Sequence, residues 1–165
     1  MHLKGTRPDS RVNWGDTLGA MLRRRRTELG LRRIDAAKLL NVDPKTLMWW
    51  ERDTYQPLDR AYPALIQFLD YEPWDEPATL SEALIAERKR RGQTQDLASI
   101  SCGVDQSTWS YWERGEWRPM GRTANLIDTY LGFRARDRYP ADFHKTNARM
   151  RRRPTGSRIE TSLGN

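Results

Sequence analysis

The chain has 165 residues, with 29 lysines and arginines against 22 aspartates and glutamates, for a formal net charge of +7 at pH 7. That length accommodates one ordinary domain or two small ones. No apolar run approaches the ~18–20 residues of a membrane-spanning helix, and residues 1–14 hold no stretch of the signal-peptide type. The single cysteine, Cys102, excludes an intramolecular disulfide framework and a cysteine-rich zinc site. We therefore expect a cytoplasmic protein with no membrane partner.

The positive charge is concentrated at the end of the chain. Residues 16–70 carry a net charge of +2, residues 80–133 are neutral overall, and residues 134–165 carry +6. A basic tail suits a phosphate-rich partner, although a merely solubilising tail has the same composition. Because 134–165 holds few apolar residues, we expect this tail to be largely disordered in the free protein.

The sequence repeats itself at an offset of 62 residues without a gap. Between 18–71 and 80–133, 14 of 54 positions are identical, and the matches are densest around the two Trp-Glu-Arg triplets. The chain therefore contains two copies of a unit of about 55 residues. We place an N-terminal arm at 1–14, a first domain at 15–70, a short proline-containing linker at 71–78 and a second domain at 79–133.

Each copy is predicted to fold into four short helices, which gives an all-α protein. Thr79 with Glu82 forms a capping-box pattern at the start of the second copy, and Thr94 can cap the helix that follows. Asp43 followed by Pro44 marks a helix start in the first copy. Asn41 can take the left-handed conformation that Gly103 takes in the second copy.

Two arginine-rich runs, 23–26 and 88–91, invite an assignment as DNA contacts. Four consecutive helical residues point in nearly all directions, so some of these side chains must be solvated or paired with Glu28 or Glu87. We expect one or two from each run to touch phosphate. Trp50, Trp112 and Cys102 are expected to be buried.

The order of helix, tight turn, helix, Trp-Glu-Arg, proline and apolar helix resembles the lambda Cro/repressor-like (Xre) helix-turn-helix family. The resemblance depends on four short sequence segments, Asn41-Val42-Asp43, Trp50-Glu51-Arg52, Gly103-Val104-Asp105 and Tyr111-Trp112-Glu113-Arg114-Gly115. It covers about 16–70 and 79–133. It implies two tandem lambda-repressor-like helix-turn-helix bundles, each of which places its third helix in the major groove of DNA.

The resemblance also implies which side chains of the second copy read DNA. Glutamine can bond both edge atoms of adenine, serine is a short donor and acceptor, and tyrosine adds a hydroxyl and a ring. Gln95, at the start of the second helix, is expected near a phosphate or against Gln106. The predicted DNA contacts of this copy are Gln95, Gln106, Ser107, Ser110, Tyr111 and Arg114.

The first copy departs from the family pattern. Arg32 and Arg33 replace the usual Thr-Gln pair, which removes a helix cap and adds two phosphate-seeking charges. Met48 and Trp49 place apolar bulk where polar reading groups usually stand, as many protein contacts do. This copy is therefore a weaker reader, a groove-filling module or a dimerisation surface. Its predicted DNA contacts are Arg33, Lys45, Met48, Trp49 and Arg52.

The function expected from this resemblance is sequence-specific binding of double-stranded DNA in transcriptional control. Repression is preferred because no activation or ligand-sensing domain is visible, and a homodimer is left open. The alternative is a protein-interaction module, such as an antitoxin-like or phage accessory factor, in which the first domain mediates assembly. No phosphate loop, dinucleotide turn or nucleophile motif is present. We therefore expect no enzyme activity, cofactor, metal or small-molecule ligand, and a cytoplasmic, nucleoid-associated protein of bacterial or phage type.

Overall fold

The computed structural model describes residues 17–143, and all regular structure in that range is helical. This confirms the predicted all-α class. The N-terminal arm at 1–14 and the tail from 144 onward lie outside the described residues. The helices are α1 Leu18–Glu28, α2 Arg33–Leu39, α3 Pro44–Glu51, α4 Tyr62–Leu69, α5 Leu80–Arg90, α6 Gln95–Cys102, α7 Gln106–Glu113, α8 Arg122–Leu131 and α9 Ala135–Arg138, with 3₁₀ turns at Asp59–Ala61 and Pro140–Asp142.

The first helical unit consists of α1 to α4 around its own apolar core. Leu22, Leu47 and Leu65 are fully buried at its centre, and Trp50 is buried beside them. The helix α3 packs against both α1 and α2. Burial of Leu47 and Trp50 leaves the opposite side of α3 free for other contacts, because the two faces of a helix are set by its period.

The second helical unit consists of α5 to α9 around a separate core. Trp109 is fully buried in α7 and lies edge-on to the ring of Tyr130, with the ring centroids 4.8 Å apart. Trp112 is buried as well, as is Cys102 at the end of α6. The helix α7 packs against α5 and α6 as α3 packs in the first unit. The third helix of each unit is thus held by two neighbours.

The predicted helix ends are confirmed at several positions. The Thr79 and Thr94 hydroxyls each accept a backbone N–H, both at 3.2 Å, and the Asp43 carboxylate accepts the Lys45 N–H at 2.7 Å. Asn41 has φ 53° and Gly103 has φ 76°, so both adopt the left-handed conformation that ends the second helix of each unit.

The basic segment that the sequence places in the tail is folded over its first ten residues. Ala135 and Tyr139 are buried in the second core, and Phe143 packs against it. The Asp142 carboxylate accepts the backbone N–H of Leu80 at 2.9 Å, which joins this segment to the start of α5. The expectation of disorder is therefore wrong for 134–143. The apolar side chains in this short stretch, which its many charges conceal, drive the packing.

The linker also packs onto the helices. Tyr71 and Trp74 pack against the first core, and Glu72 forms an ion pair with Arg90 of α5. Among residues 17–143, no helix combines the length and apolar character needed to cross a membrane.

Candidate nucleic-acid interface

A buried glutamate holds α7, the third helix of the second unit. Glu113 lies in the last turn of α7. Its carboxylate accepts hydrogen bonds from Arg88 Nε at 2.6 Å, Gln95 Nε2 at 2.7 Å and Trp109 Nε1 at 2.7 Å. Arg88, which is buried too, also donates to the Gln93 carbonyl at 3.0 Å. These bonds satisfy an ion pair that would otherwise be costly to bury, and they tie α7 to α5 and α6.

The first unit holds α3 with the same arrangement. The buried Glu51 carboxylate accepts hydrogen bonds from Arg26 Nε at 2.5 Å and Arg33 Nε at 3.2 Å. Arg26 also donates to the Leu31 carbonyl at 3.1 Å. Each of these residues stands 62 positions before its counterpart in the second unit, and Arg33 takes the place of Gln95. The repeat therefore preserves a carboxylate that fixes the third helix.

Two of the predicted DNA contacts have donors committed inside the protein. The Gln95 amide donates to Glu113 rather than buttressing Gln106, and Arg33 donates to Glu51. Both side chains remain half-buried. The structure therefore gives them the role of orienting the third helix, a role that the sequence pattern did not reveal.

The first turn of α7 presents its side chains to solvent. Gln106 and Ser107 are both exposed, and Asp105 occupies the N-cap position without capping the helix through its side chain. The first backbone N–H groups of a helix are free to meet an anion such as phosphate. This end of the helix therefore combines an amide, a hydroxyl and backbone donors on one surface.

The last turn of α7 carries a cluster of connected side chains. The Arg114 guanidinium lies 4.8 Å from the centroid of the Tyr111 ring, and it donates to the Ser110 hydroxyl. Arg114 also pairs with Glu116, with 2.7 Å between Nε and Oε1. The pairing raises the pKa of Arg114 and lowers that of Glu116, through their hydrogen bond and charges. Three of the predicted reading residues are thus brought together, and a phosphate would compete with Glu116 for the guanidinium.

The exposed side of α3 is more apolar than that of α7. Lys45 and Arg52 are exposed, whereas Met48 and Trp49 are half-buried. The Lys45 ammonium lies 5.1 Å from the centroid of the Trp49 ring. That ring also meets Tyr55 edge-on, with the centroids 5.2 Å apart at 72°. Cations therefore border an aromatic surface here as they do on α7.

In both units an aromatic residue of the third helix pairs with an aromatic residue of the segment that follows it. Tyr111 and Trp117 stack with their centroids 4.2 Å apart and their planes at 16°, and the corresponding pair in the first unit is Trp49 with Tyr55. The two residue types have exchanged places between the copies. Tyr55 is 60% exposed and Trp117 is 56% exposed. Tyr55 and Trp117 are not among the site residues predicted from the sequence, although the offset of 62 aligns them.

Two other kinds of site, a metal site and a reactive thiol, are not formed by the residues that the structure describes. No group of three or more His, Cys, Asp or Glu side chains in 17–143 is placed to hold a metal ion. Burial raises the pKa of the Cys102 thiol to about 11, so little reactive thiolate forms near neutral pH. Comparison of the chain with protein-family models, with curated proteins and with solved structures finds no match.

Proposed function

We propose that the chain is a transcription regulator, preferentially a repressor, that binds double-stranded DNA in a sequence-dependent way. In this proposal each unit is a helix-turn-helix domain of the lambda-repressor-like kind, joined to the other by the linker. The helix α7 enters a major groove with the side that carries Gln106, Ser107 and Ser110. The helix α3 uses Lys45 and Arg52 in the same manner.

The observation that carries this proposal is the exposed surface shared by the two units. Arg52 and Arg114 are exposed at equivalent positions, each directly after a helix that carries one ring of an aromatic pair. Packing does not require these exposed side chains, yet both copies keep their chemical character. Arginine and aromatic rings recur where proteins meet nucleic acid, because they offer charge together with flat apolar surface.

The side chains of the second unit are better suited to distinguishing bases than those of the first. A glutamine side chain can form two bonds with the edge of adenine, and serine can donate or accept. Gln106 and Ser107 lie exposed at the start of α7, where the free backbone N–H groups also favour phosphate. The first unit has Pro44 and Lys45 at the corresponding positions, and Met48 and Trp49 follow one turn later on α3. Its share in recognition is therefore apolar contact and phosphate binding rather than reading of base edges by hydrogen bonds.

The experiment that tests this proposal is selection of random duplexes by the purified full chain at moderate salt, followed by sequencing. The wild type is compared with a Gln106→Ala, Ser107→Ala double variant, which avoids the connected cluster around Arg114. Asn125→Ala, an exposed amide change on α8, is the matched control. Enrichment of one motif by the wild type and the control, weakened in the double variant, supports the proposal.

Two results would contradict it. Binding without enrichment, lost steeply as salt rises, would mean that the chain holds phosphates without sequence preference. Equal enrichment by the double variant would show that α7 is not the reading helix.

A second candidate function is protein binding, and the exposed apolar side chains favour it. Leu58 and Met120, at equivalent positions beyond the aromatic pairs, are 64% and 66% exposed. Aromatic, methionine and arginine side chains are enriched in protein interfaces. In this alternative the surface around Met48 and Trp49 mediates assembly. A Met48→Ala, Trp49→Ala variant that loses self-association in sedimentation but keeps DNA binding would support this role for the first unit.

A further inference from the structure

The two units are joined by direct contacts between helices in addition to the linker. The helix α5 of the second unit packs against α4 and the 3₁₀ turn of the first. Arg88 Nη1 lies 2.7 Å from the Asp59 carboxylate, with Arg88 buried and Asp59 half-buried. The same guanidinium donates to Glu113. One arginine therefore connects the first unit to the carboxylate that holds α7.

A second contact involves the residue that follows in α5. The Lys89 ammonium lies 4.6 Å from the centroid of the Tyr62 ring and 5.8 Å from that of the Trp74 ring. Tyr62 belongs to α4 and Trp74 to the linker, and their ring centroids are 5.9 Å apart. A cation held between two aromatic rings contributes more when it is partly withdrawn from water.

The third contact is a close approach of backbone to side chain. A Cβ atom built on Gly92 would lie 3.0 Å from Pro63 Cγ and 3.1 Å from Pro63 Cδ, whereas one built on Gly30 would meet nothing within 4 Å. The two glycines are equivalent in the repeat and have φ angles of +63° and +66°. Gly92 therefore lets the units meet closely, and its counterpart has no such role.

We propose that the two units bind their target as one rigid two-headed body, so that the DNA site is bipartite with a single permitted spacing. The inference rests on the proposed function and deepens it by describing the form of the target. Contacts through Arg88, Lys89 and Gly92 fix how α3 lies relative to α7. A pair of reading helices held in that way matches two DNA elements only at one separation and one rotation about the duplex axis.

The arrangement also makes Asp59 a positioning residue for the second unit. Arg88 is shared by two carboxylates, Asp59 from the first unit and Glu113 at the end of α7. In the first unit the sharing is reversed, because Glu51 is shared by Arg26 and Arg33. The second unit has the neutral Gln95 in place of Arg33, so Glu113 faces one guanidinium, and the first unit adds a second carboxylate, Asp59, to that guanidinium.

The test uses the full chain and the bipartite site obtained by selection, with the distance between its elements varied by one to six base pairs. The wild type should lose at least about tenfold in affinity at a change of five base pairs, which rotates one element to the opposite side of the duplex. Gly92→Asn should reduce affinity at the preferred spacing by about tenfold or move the preferred spacing, because its side chain forces the units apart.

Gly30→Asn is the matched control, since it has the same left-handed backbone but meets no neighbour, and it should keep the wild-type spacing preference. Asp59→Asn, which conserves shape, serves if Gly92→Asn does not fold, and it should broaden the spacing preference. A bipartite site bound equally well at all spacings would overturn the rigid-body inference and leave DNA binding intact. Selection of a single uninterrupted DNA element would also overturn the rigid-body inference and leave DNA binding intact. Absence of any enriched motif would overturn both proposals.

Discussion

At the scale of single residues, the arginine runs have mostly internal roles in the described structure. Arg25 donates to the Phe68 carbonyl at 3.1 Å and lies 4.0 Å from Glu28. Arg90 and Arg91 both pair with Glu87. The pairing with glutamates that the sequence suggested is thus confirmed. Contact with phosphate remains a prediction, and it would require most of these side chains to exchange a protein partner for DNA.

The buried glutamates give the sharpest prediction at this scale. Glu113→Gln weakens three hydrogen bonds and leaves the buried Arg88 with Asp59 as its remaining carboxylate. It should lower the free energy of unfolding by about 3 kcal/mol, the low end of the range for a broken buried ion pair, because Asp59 still compensates part of the charge. Glu51→Gln should lower the free energy of unfolding by less, because Arg26 and Arg33 are more exposed than Arg88 and can be hydrated. Urea unfolding followed by circular dichroism measures both.

The control for these variants is Glu116→Gln, whose exposed ion pair with Arg114 should leave the unfolding midpoint unchanged. If Glu113→Gln behaves like this control, the carboxylate does not hold α7 as described.

At the scale of helices, local sequence accounts for where most of them begin and end. Thr79, Thr94 and the Asp43-Pro44 pair mark helix starts, and each side-chain cap forms where the sequence places it. Such signals are predictable because the donor and acceptor lie within three residues of each other. Asp105 is the exception, since its carboxylate makes no capping bond although its sequence context repeats that of Asp43.

This difference between the copies yields a prediction for α3 and α7. Asp43→Ala should lower the free energy of unfolding by about 1 kcal/mol, because it removes the bond to the Lys45 N–H. Asp105→Ala should have a clearly smaller effect, since there is no such bond to lose. Thermal or urea unfolding of the two variants checks this, and a larger loss for Asp105→Ala would contradict the assigned caps.

At the scale of the whole molecule, the second core extends beyond the repeat. The helix α9 and the turn that follows have no counterpart after α4, where the linker packs instead. Tyr139 is buried, and its ring centroid lies 6.3 Å from that of Phe133. The charged composition around Tyr139 predicts a disordered tail, because composition averages over a stretch in which a few apolar residues decide the packing.

The segment gives a prediction of its own. Tyr139→Ala should lower the free energy of unfolding by about 3 kcal/mol, since it removes a large buried ring. Tyr55→Ala, which changes an exposed ring, should cost much less. Calorimetry on both variants measures the difference, and equal losses would show that 134–143 adds nothing to the stability of the second unit.

The sequence by itself determined the helical class, the repeat at an offset of 62, the helix caps and the left-handed turns at Asn41 and Gly103. These features depend on neighbours along the chain or on comparison of the chain with itself. Only the tertiary structure showed that Arg88 joins Asp59 to Glu113 and that Gly92 meets Pro63. Such contacts depend on the relative placement of helices distant in sequence, and a run of similar arginines carries no local signal of which side chain will face inward.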